Sequence, residues 1–340
     1  MCILMRLNVV IKPPSEVDTG RDTPSRMLSR LTAAVTSLED AGVTAVVLAP
    51  AEPDSVATFE PLTLAGALAR ATSTIGLIAA DSALFGHPYN TARRLATLDH
   101  LTSGRSGWLV VPAADPAAEA RYGLVVGDAS ARIARATEFA EVVRALWECW
   151  EPGAEVPDKT KGDYQDDTRV HPIEHRSTHY TVRGPLDVPR CPQGKPVVVQ
   201  AVQAPDELPL ACRFAEVVVP WCISESDFAE AVARVRSEAV QAGRDPAELV
   251  VLPAVGVLAG LDGFAVGAGA DMPQRLGELV RHSSADGVTL VGDGTLDWVE
   301  RLTDEVLPEL RGLLTPLRPG ATLADNLGLS RAAELDRSAA

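Results

Sequence analysis

The chain has 340 residues, 46% of them hydrophobic and 23% charged, a globular composition that excludes disorder as its main state. Asp and Glu outnumber Lys and Arg by 46 to 31, so the net charge of −15 excludes the basic surface that sequence-independent nucleic-acid binding needs. Aromatic residues at 4% argue against a stacking platform for single strands, and no apolar run reaches the roughly 18 residues of a membrane span.

Five cysteines without a Cys-x-x-Cys pair point to a reducing, cytoplasmic compartment, and the first ten residues read as the approach to a strand, not a signal peptide. The first strand is expected at 7–12. Asp22-Thr23-Pro24 then opens a helix that runs through Leu38 and stops at Ala41-Gly42. Strands at 44–48, 74–79 and 107–111 alternate with helices at 61–72, 89–101 and 130–150. In the last of these, Ile133, Ala136, Phe139, Val143, Leu146, Trp147 and Trp150 recur at helical steps and read as core packing.

Residues 151–195 break the rhythm with Pro, Gly, Asp and Lys, and only 178–182 reads as a short strand. This segment is expected to be an excursion over one end of the fold. Alternation then resumes with strands at 196–201, 216–220, 250–254 and 287–291, and helices at 206–215, 226–243, 272–283 and 296–311. Pro253 makes the seventh strand's boundary the least defined. Eight strand–helix units predict an α/β fold, a closed (β/α)8 TIM barrel spanning 1–330 as one domain, with a frayed tail at 331–340. An open doubly wound sheet is disfavoured because no Gly-rich dinucleotide fingerprint follows the first strand.

Function in such a barrel gathers at the carboxyl ends of the strands, which here offer Lys12, Pro50, Asp81, Val111, Gln200, Trp221, Ala254 and Asp293. Asp81 is a candidate acid–base group, since desolvation at a barrel mouth raises a carboxyl pKa; the alternative is a capping or ion-paired aspartate. His87, before Pro88-Tyr89, is a second catalytic candidate or a structural contact. His171, His175 and His179 have a metal-like spacing, but Pro172 and Ser177-Thr178 favour extended structure, so no metal site is expected. No Gly-x-Ser-x-Gly elbow is present.

Residues 59–64 (Phe-Glu-Pro-Leu-Thr-Leu), 71–77, 88–94 (Pro-Tyr-Asn-Thr-Ala-Arg-Arg) and 98–105 (Leu-Asp-His-Leu-Thr-Ser-Gly-Arg) carry a resemblance to the luciferase-like flavin-dependent monooxygenases. Residues 169–176, 182–186, 192–194, 243–246, 306–310 and 322–329 are similar to the branch of nitrilotriacetate monooxygenase component A, dibenzothiophene-sulfone monooxygenase and pristinamycin IIA synthase. The resemblance implies a (β/α)8 barrel, reduced FMN supplied by a separate NAD(P)H:flavin reductase, and O2-dependent oxygenation of a small organic substrate. It also implies a homo- or heterodimer, with Ser82, Trp108, Gln200 and Ala201 at the flavin. The same resemblance places the three histidines in a motif block.

Several flavin-contact positions depart from the family pattern. Pro50 stands where an Asp is usual, Ala80 for a Thr, Leu109 for an Asn and Ile133 for a Tyr. The family's Gln-Ala-Gly-x-Ser phosphate turn reads Gln200-Ala201-Val202-Gln203-Ala204-Pro205, which loses a glycine, a hydroxyl and an N–H. A long family insertion after the seventh strand is replaced by a short link at 259–270. Three readings stay open: an FMNH2-dependent monooxygenase, a flavin-free acid–base enzyme using Asp81 and His87, and a non-catalytic subunit of a heteromeric monooxygenase.

Overall fold

Runs of Val, Leu, Ile and Ala become parallel strands because each of their two faces finds apolar partners. A computed structural model describes residues 4–12, 23–50, 58–113, 116–160, 162–256, 271–292 and 296–329. Its parallel strands are β1 (Arg6–Ile11), β2 (Ala45–Leu48), β3 (Gly76–Ser82), β4 (Ser106–Val111), β5 (Val197–Val202), β6 (Val217–Pro220), β7 and β8 (Gly287–Val291). β7 comes in two halves, Val250–Val251 and Ala254–Gly256. The first half pairs with β6 and the second with β8, so the sheet closes on itself. Pro253 explains the split: it has no N–H to give the ladder, yet its carbonyl accepts from Thr289 at 2.9 Å. Trp221 bridges to Ala254 across the join. The fold is the expected (β/α)8 barrel.

Around it lie α1 (Pro24–Asp40), α2 (Pro61–Leu68), α3 (Pro88–Thr102), α4 (Pro116–Tyr122), α5 (Ala129–Glu148), α6 (Leu208–Phe214), α7 (Glu225–Gln241), α8 (Met272–Ser283) and α9 (Leu296–Arg301). The helix expected over 296–311 is interrupted by a wide turn at Leu302–Val306 before α10 (Leu307–Leu310). Pro308 accounts for this, since it cannot donate to the carbonyl four residues earlier.

Strand alternation separates two cores. Leu7, Val46, Leu77, Ala79, Trp108, Val198, Val218 and Leu290 face the helices. Val47, Ile78, Ala80, Leu109, Val199, Val219, Ala254 and Val291 face the barrel axis. The amino-terminal end of the barrel is stoppered by α11 (Leu323–Asn326), whose Leu323 is fully buried with the axis-facing set. A Cβ on Gly76 would come within 2.5 Å of Leu323 Cδ1, so only glycine leaves room for the stopper.

The described residues of 151–195 leave α5 and pack against α3 and α5. Trp150 Nε1 donates to the Leu186 carbonyl at 2.9 Å, and Tyr89 Oη to that of Pro185 at 3.4 Å. A two-residue hairpin, His175–Arg176 with Thr181–Val182, is pinned to α5 through Glu138. The excursion meets the barrel end at Gln193, whose side-chain Nε2 donates to Asp99 at 2.5 Å and whose Oε1 accepts from Ala324 N–H at 3.3 Å. The family-like segment 98–105 is thus a packing clasp, with Arg105 donating to the carbonyls of Ile75 and Thr72 at 2.6 and 3.0 Å. The link at 259–270, Asp293, Cys2 and the tail at 331–340 lie outside the described residues.

Candidate functional site

The period-2 alternation of a strand decides which side chains can meet a ligand at the barrel mouth. β3 runs to Ser82, three residues beyond its expected end, because β4 pairs alongside it as far as Ser82 with Val111. Asp81 therefore lies on the helix-facing side and Ser82 on the axis-facing side with Ile78 and Ala80. The Asp81 carboxylate accepts from Thr91 Oγ1 at 2.8 Å and from Arg94 Nη2 at 2.7 Å, both on α3. Burial pushes its pKa up, while Arg94 and Thr91 pull the other way. Asp81 is thus an ion-paired carboxylate turned from the axis.

The other expected site residues divide by the same rule. Trp108 points outward into the helical layer, 1% exposed, with its Nε1 donating to the Asp81 carbonyl at 3.1 Å and its ring edge-on to Trp147. Gln200 is also outward and buried, its amide 3.4 Å from the Glu207 carbonyl. Ala201 faces the axis. Ser82 Oγ accepts from the N–H groups of Leu84 and Phe85 at 3.1 and 3.3 Å, which shapes the turn after β3. His87 caps α3, its Nδ1 accepting from Tyr89 N–H at 3.3 Å, and its ring stands edge-on to Tyr180. Of the four residues expected at the flavin, Ser82 and Ala201 share the axial face.

Among the described residues, apolar side chains make up most of the axial face at the mouth: Val10, Val47, Ala80, Leu109, Val111, Ala201, Val219 and the half-buried Trp221 line it beside Ser82. Deeper on the axis, Asn8 is fully buried, and neither of its amide atoms has a hydrogen-bond partner among the described residues. Ile133 packs against the helical core, and Pro50 is exposed at the end of β2.

Beside the mouth, Arg135 lies over the Tyr180 ring at 4.9 Å and donates through Nε to the Leu84 carbonyl at 3.0 Å. The three motif histidines do not converge. His171 Nε2 lies 2.9 Å from Glu151, His175 Nε2 lies 3.1 Å from Glu138, and His179 is half-buried, its backbone N–H donating to Glu138 at 3.0 Å. No group of three metal-ligating side chains forms among the described residues. The four described cysteines are buried, and burial raises Cys212 to about 11 and Cys222 to about 12, so neither is a thiolate nucleophile at neutral pH.

At the turn after β5, the N–H groups of Gln203 and Ala204 both donate to Glu207 Oε2, at 2.8 and 3.2 Å. A phosphate held there would need those same donors. Sequence reasoning passed over Glu207, although an acidic residue at the third position of a turn, as in Ala204-Pro205-Asp206-Glu207, is half of a capping box. The residues present do not fit the 5′-phosphate of FMN at this turn.

Comparison with known proteins agrees with this architecture. Nitrilotriacetate monooxygenase component A of Aminobacter aminovorans is 42% identical over 212 residues, covering 61% of this chain and 46% of that protein. The chain thus spans about half the length of the first curated relatives it matches. One of the two named subunits of the pristinamycin IIA synthase of Streptomyces pristinaespiralis is 34% identical over 314 residues, 91% of each chain. The solved EDTA monooxygenase from Chelativorans sp. BNC1 superposes with a TM-score of 0.80 at 24% identity, covering 96% of this chain and 99% of that one. The family model described as Luciferase-like monooxygenase matches residues 5–265, from β1 through both halves of β7. With that match and a relative aligned over nearly its whole length, this chain belongs to the luciferase-like monooxygenase family.

Proposed function

We propose that this chain serves luciferase-like monooxygenation of a small organic substrate, with reduced flavin delivered by a separate NAD(P)H:flavin reductase. The observation that carries the reading is the family match over 5–265, which takes in seven of the eight barrel strands. The relatives named above as monooxygenases support it. The chain's own contribution is an apolar wall of axial aliphatic side chains, beside which Trp221 offers an indole face to a bound ring system. Free, buried thiols support a cytoplasmic setting. Among the described residues, no helix is long and apolar enough to cross a membrane.

One observation favours a second reading, in which this chain is half of a heteromer paired with a flavin-holding relative. Glu207 occupies the donors a phosphate would use, and the relative matched over 91% of both chains is itself named as one of two different subunits of a synthase. Anaerobic titration with FMN and FMNH2, followed by tryptophan fluorescence, separates the two. Trp221 is the reporter, since Trp108, Trp147, Trp150 and Trp298 are at most 5% exposed. Saturation, followed by substrate-dependent O2 uptake with a flavin reductase, supports the first reading. Activity only in the presence of a co-purifying second barrel chain supports the heteromer. Absence of both results sinks the monooxygenase proposal.

A further inference from the structure

Two consecutive backbone N–H groups that converge at the carboxyl end of a barrel strand form a concave anion site. Here the anion belongs to the chain itself: Glu207 Oε2 accepts from Gln203 at 2.8 Å and from Ala204 at 3.2 Å. Three further groups of this turn are closed to a second anion. Pro205 lacks an N–H, Ala204 lacks a hydroxyl, and the Glu207 N–H is spent on the Ala204 carbonyl at 3.1 Å. The Gln200 amide is turned toward the Glu207 carbonyl, away from the axis. The nearby axial positions are Ala201 on β5, Val219 on β6 and Trp221 just after it, none of them charged.

We propose that Glu207 is a specificity-determining residue, a built-in carboxylate that closes the turn to a phosphate ester. The mouth then takes a flavin in its phosphate-free form, riboflavin, in preference to FMN. This rests on the reading that the mouth holds a flavin. An incoming phosphate must either displace Glu207 from its two donors or lie against a like charge, and both oppose binding. The neutral tricyclic ring meets no such opposition from the aliphatic wall.

Isothermal titration of the full-length protein and of Glu207→Gln with FMN and with riboflavin tests this. The Gln side chain keeps an acceptor oxygen for the two N–H groups while removing the charge, and circular dichroism of the variant checks its fold. The wild-type chain is expected to bind riboflavin at least as tightly as FMN. In Glu207→Gln, FMN should gain about tenfold relative to riboflavin. Wild-type preference for FMN by about tenfold or more, or the same FMN-to-riboflavin ratio in both proteins, overturns the proposal. If neither flavin binds the wild type, the flavin reading fails, and the variant alone then decides: FMN captured by Glu207→Gln sustains the role of Glu207, and no capture removes it.

Discussion

Replacing Leu323 by Ala removes the stopper from the amino-terminal end of the barrel. Leu323 is fully buried, and its two methyl groups lie against the backbones of β3 and β4, 2.5 Å from a Cβ built on Gly76 and 3.4 Å from one built on Gly107. Losing those methyls without collapse of the barrel end costs about 3 kcal/mol. For a 340-residue chain with ~2.1 cal/mol/K of unfolding entropy per residue, that corresponds to a melting shift of about 4 °C. Gly76→Ala alone should cost about 1–3 kcal/mol by overpacking, because its Cβ meets both Leu323 and, at 2.9 Å, the Cβ of Ala45. In the Leu323→Ala background the first of these contacts vanishes, so the double variant should be less destabilised than the sum by about 1 kcal/mol. Urea unfolding followed by circular dichroism, with calorimetry alongside, measures all four corners of the cycle. Additivity within about 0.3 kcal/mol, or a Leu323→Ala cost below about 1 kcal/mol, would refute the stopper.

Three further outcomes follow from single residues. Glu39 is held below its usual value of 4.5: burial opposes its ionisation, but the N–H groups of Ser73, Thr74 and Ile75 and the Thr74 hydroxyl outweigh it. Its contribution is full above the unfolded-state value and is lost as pH falls through the lower folded value. Glu39→Gln should therefore cost about 1 kcal/mol at pH 7, allowing for solvent screening, with the gap closing on acidification; a gap that widens toward low pH reverses the sign. Asn8→Val should raise stability by about 1 kcal/mol in chemical denaturation, since no described residue pairs with the buried amide, whereas a net loss would show that the amide is satisfied. Asp81→Asn should leave kcat of any assayable turnover within about threefold, because the carboxylate faces Arg94 and not the axis; a fall of about a hundredfold would return Asp81 to the chemistry.

Most of the barrel was legible because its strands are buried on both faces and so read as uninterrupted β-branched runs. The limits were local. The expected end of β3 at residue 79 stopped where Ala80-Asp81-Ser82 ceases to look like strand, but the ladder with β4 continues, and those residues settle which side chains face the axis. Asp81, Trp108 and Gln200 are each one residue out of phase with the mouth, a distinction that position in the sequence could not make. α4 had no apolar period to read, since none of its residues is buried. Thr322 and Asp325 announce the turn of α11 through a capping box, but its place in the barrel depends on Gly76 and Gly107, more than two hundred residues earlier. Glu207 carried a visible turn signal, while its grip on two neighbouring N–H groups is a fact of geometry alone.

The split in β7 has a mechanical side. A closed sheet has no free edge, so any change in its girth must be absorbed where the hoop is thinnest. That place is Pro253, where the strand passes its bonding from β6 to β8 and the join is held by the Leu252 N–H on the Val218 carbonyl, the Thr289 N–H on the Pro253 carbonyl and the Trp221–Ala254 bridge. The handover therefore lies beside the Trp221 indole at the mouth, while the ladders from β1 to β5 run side by side without one.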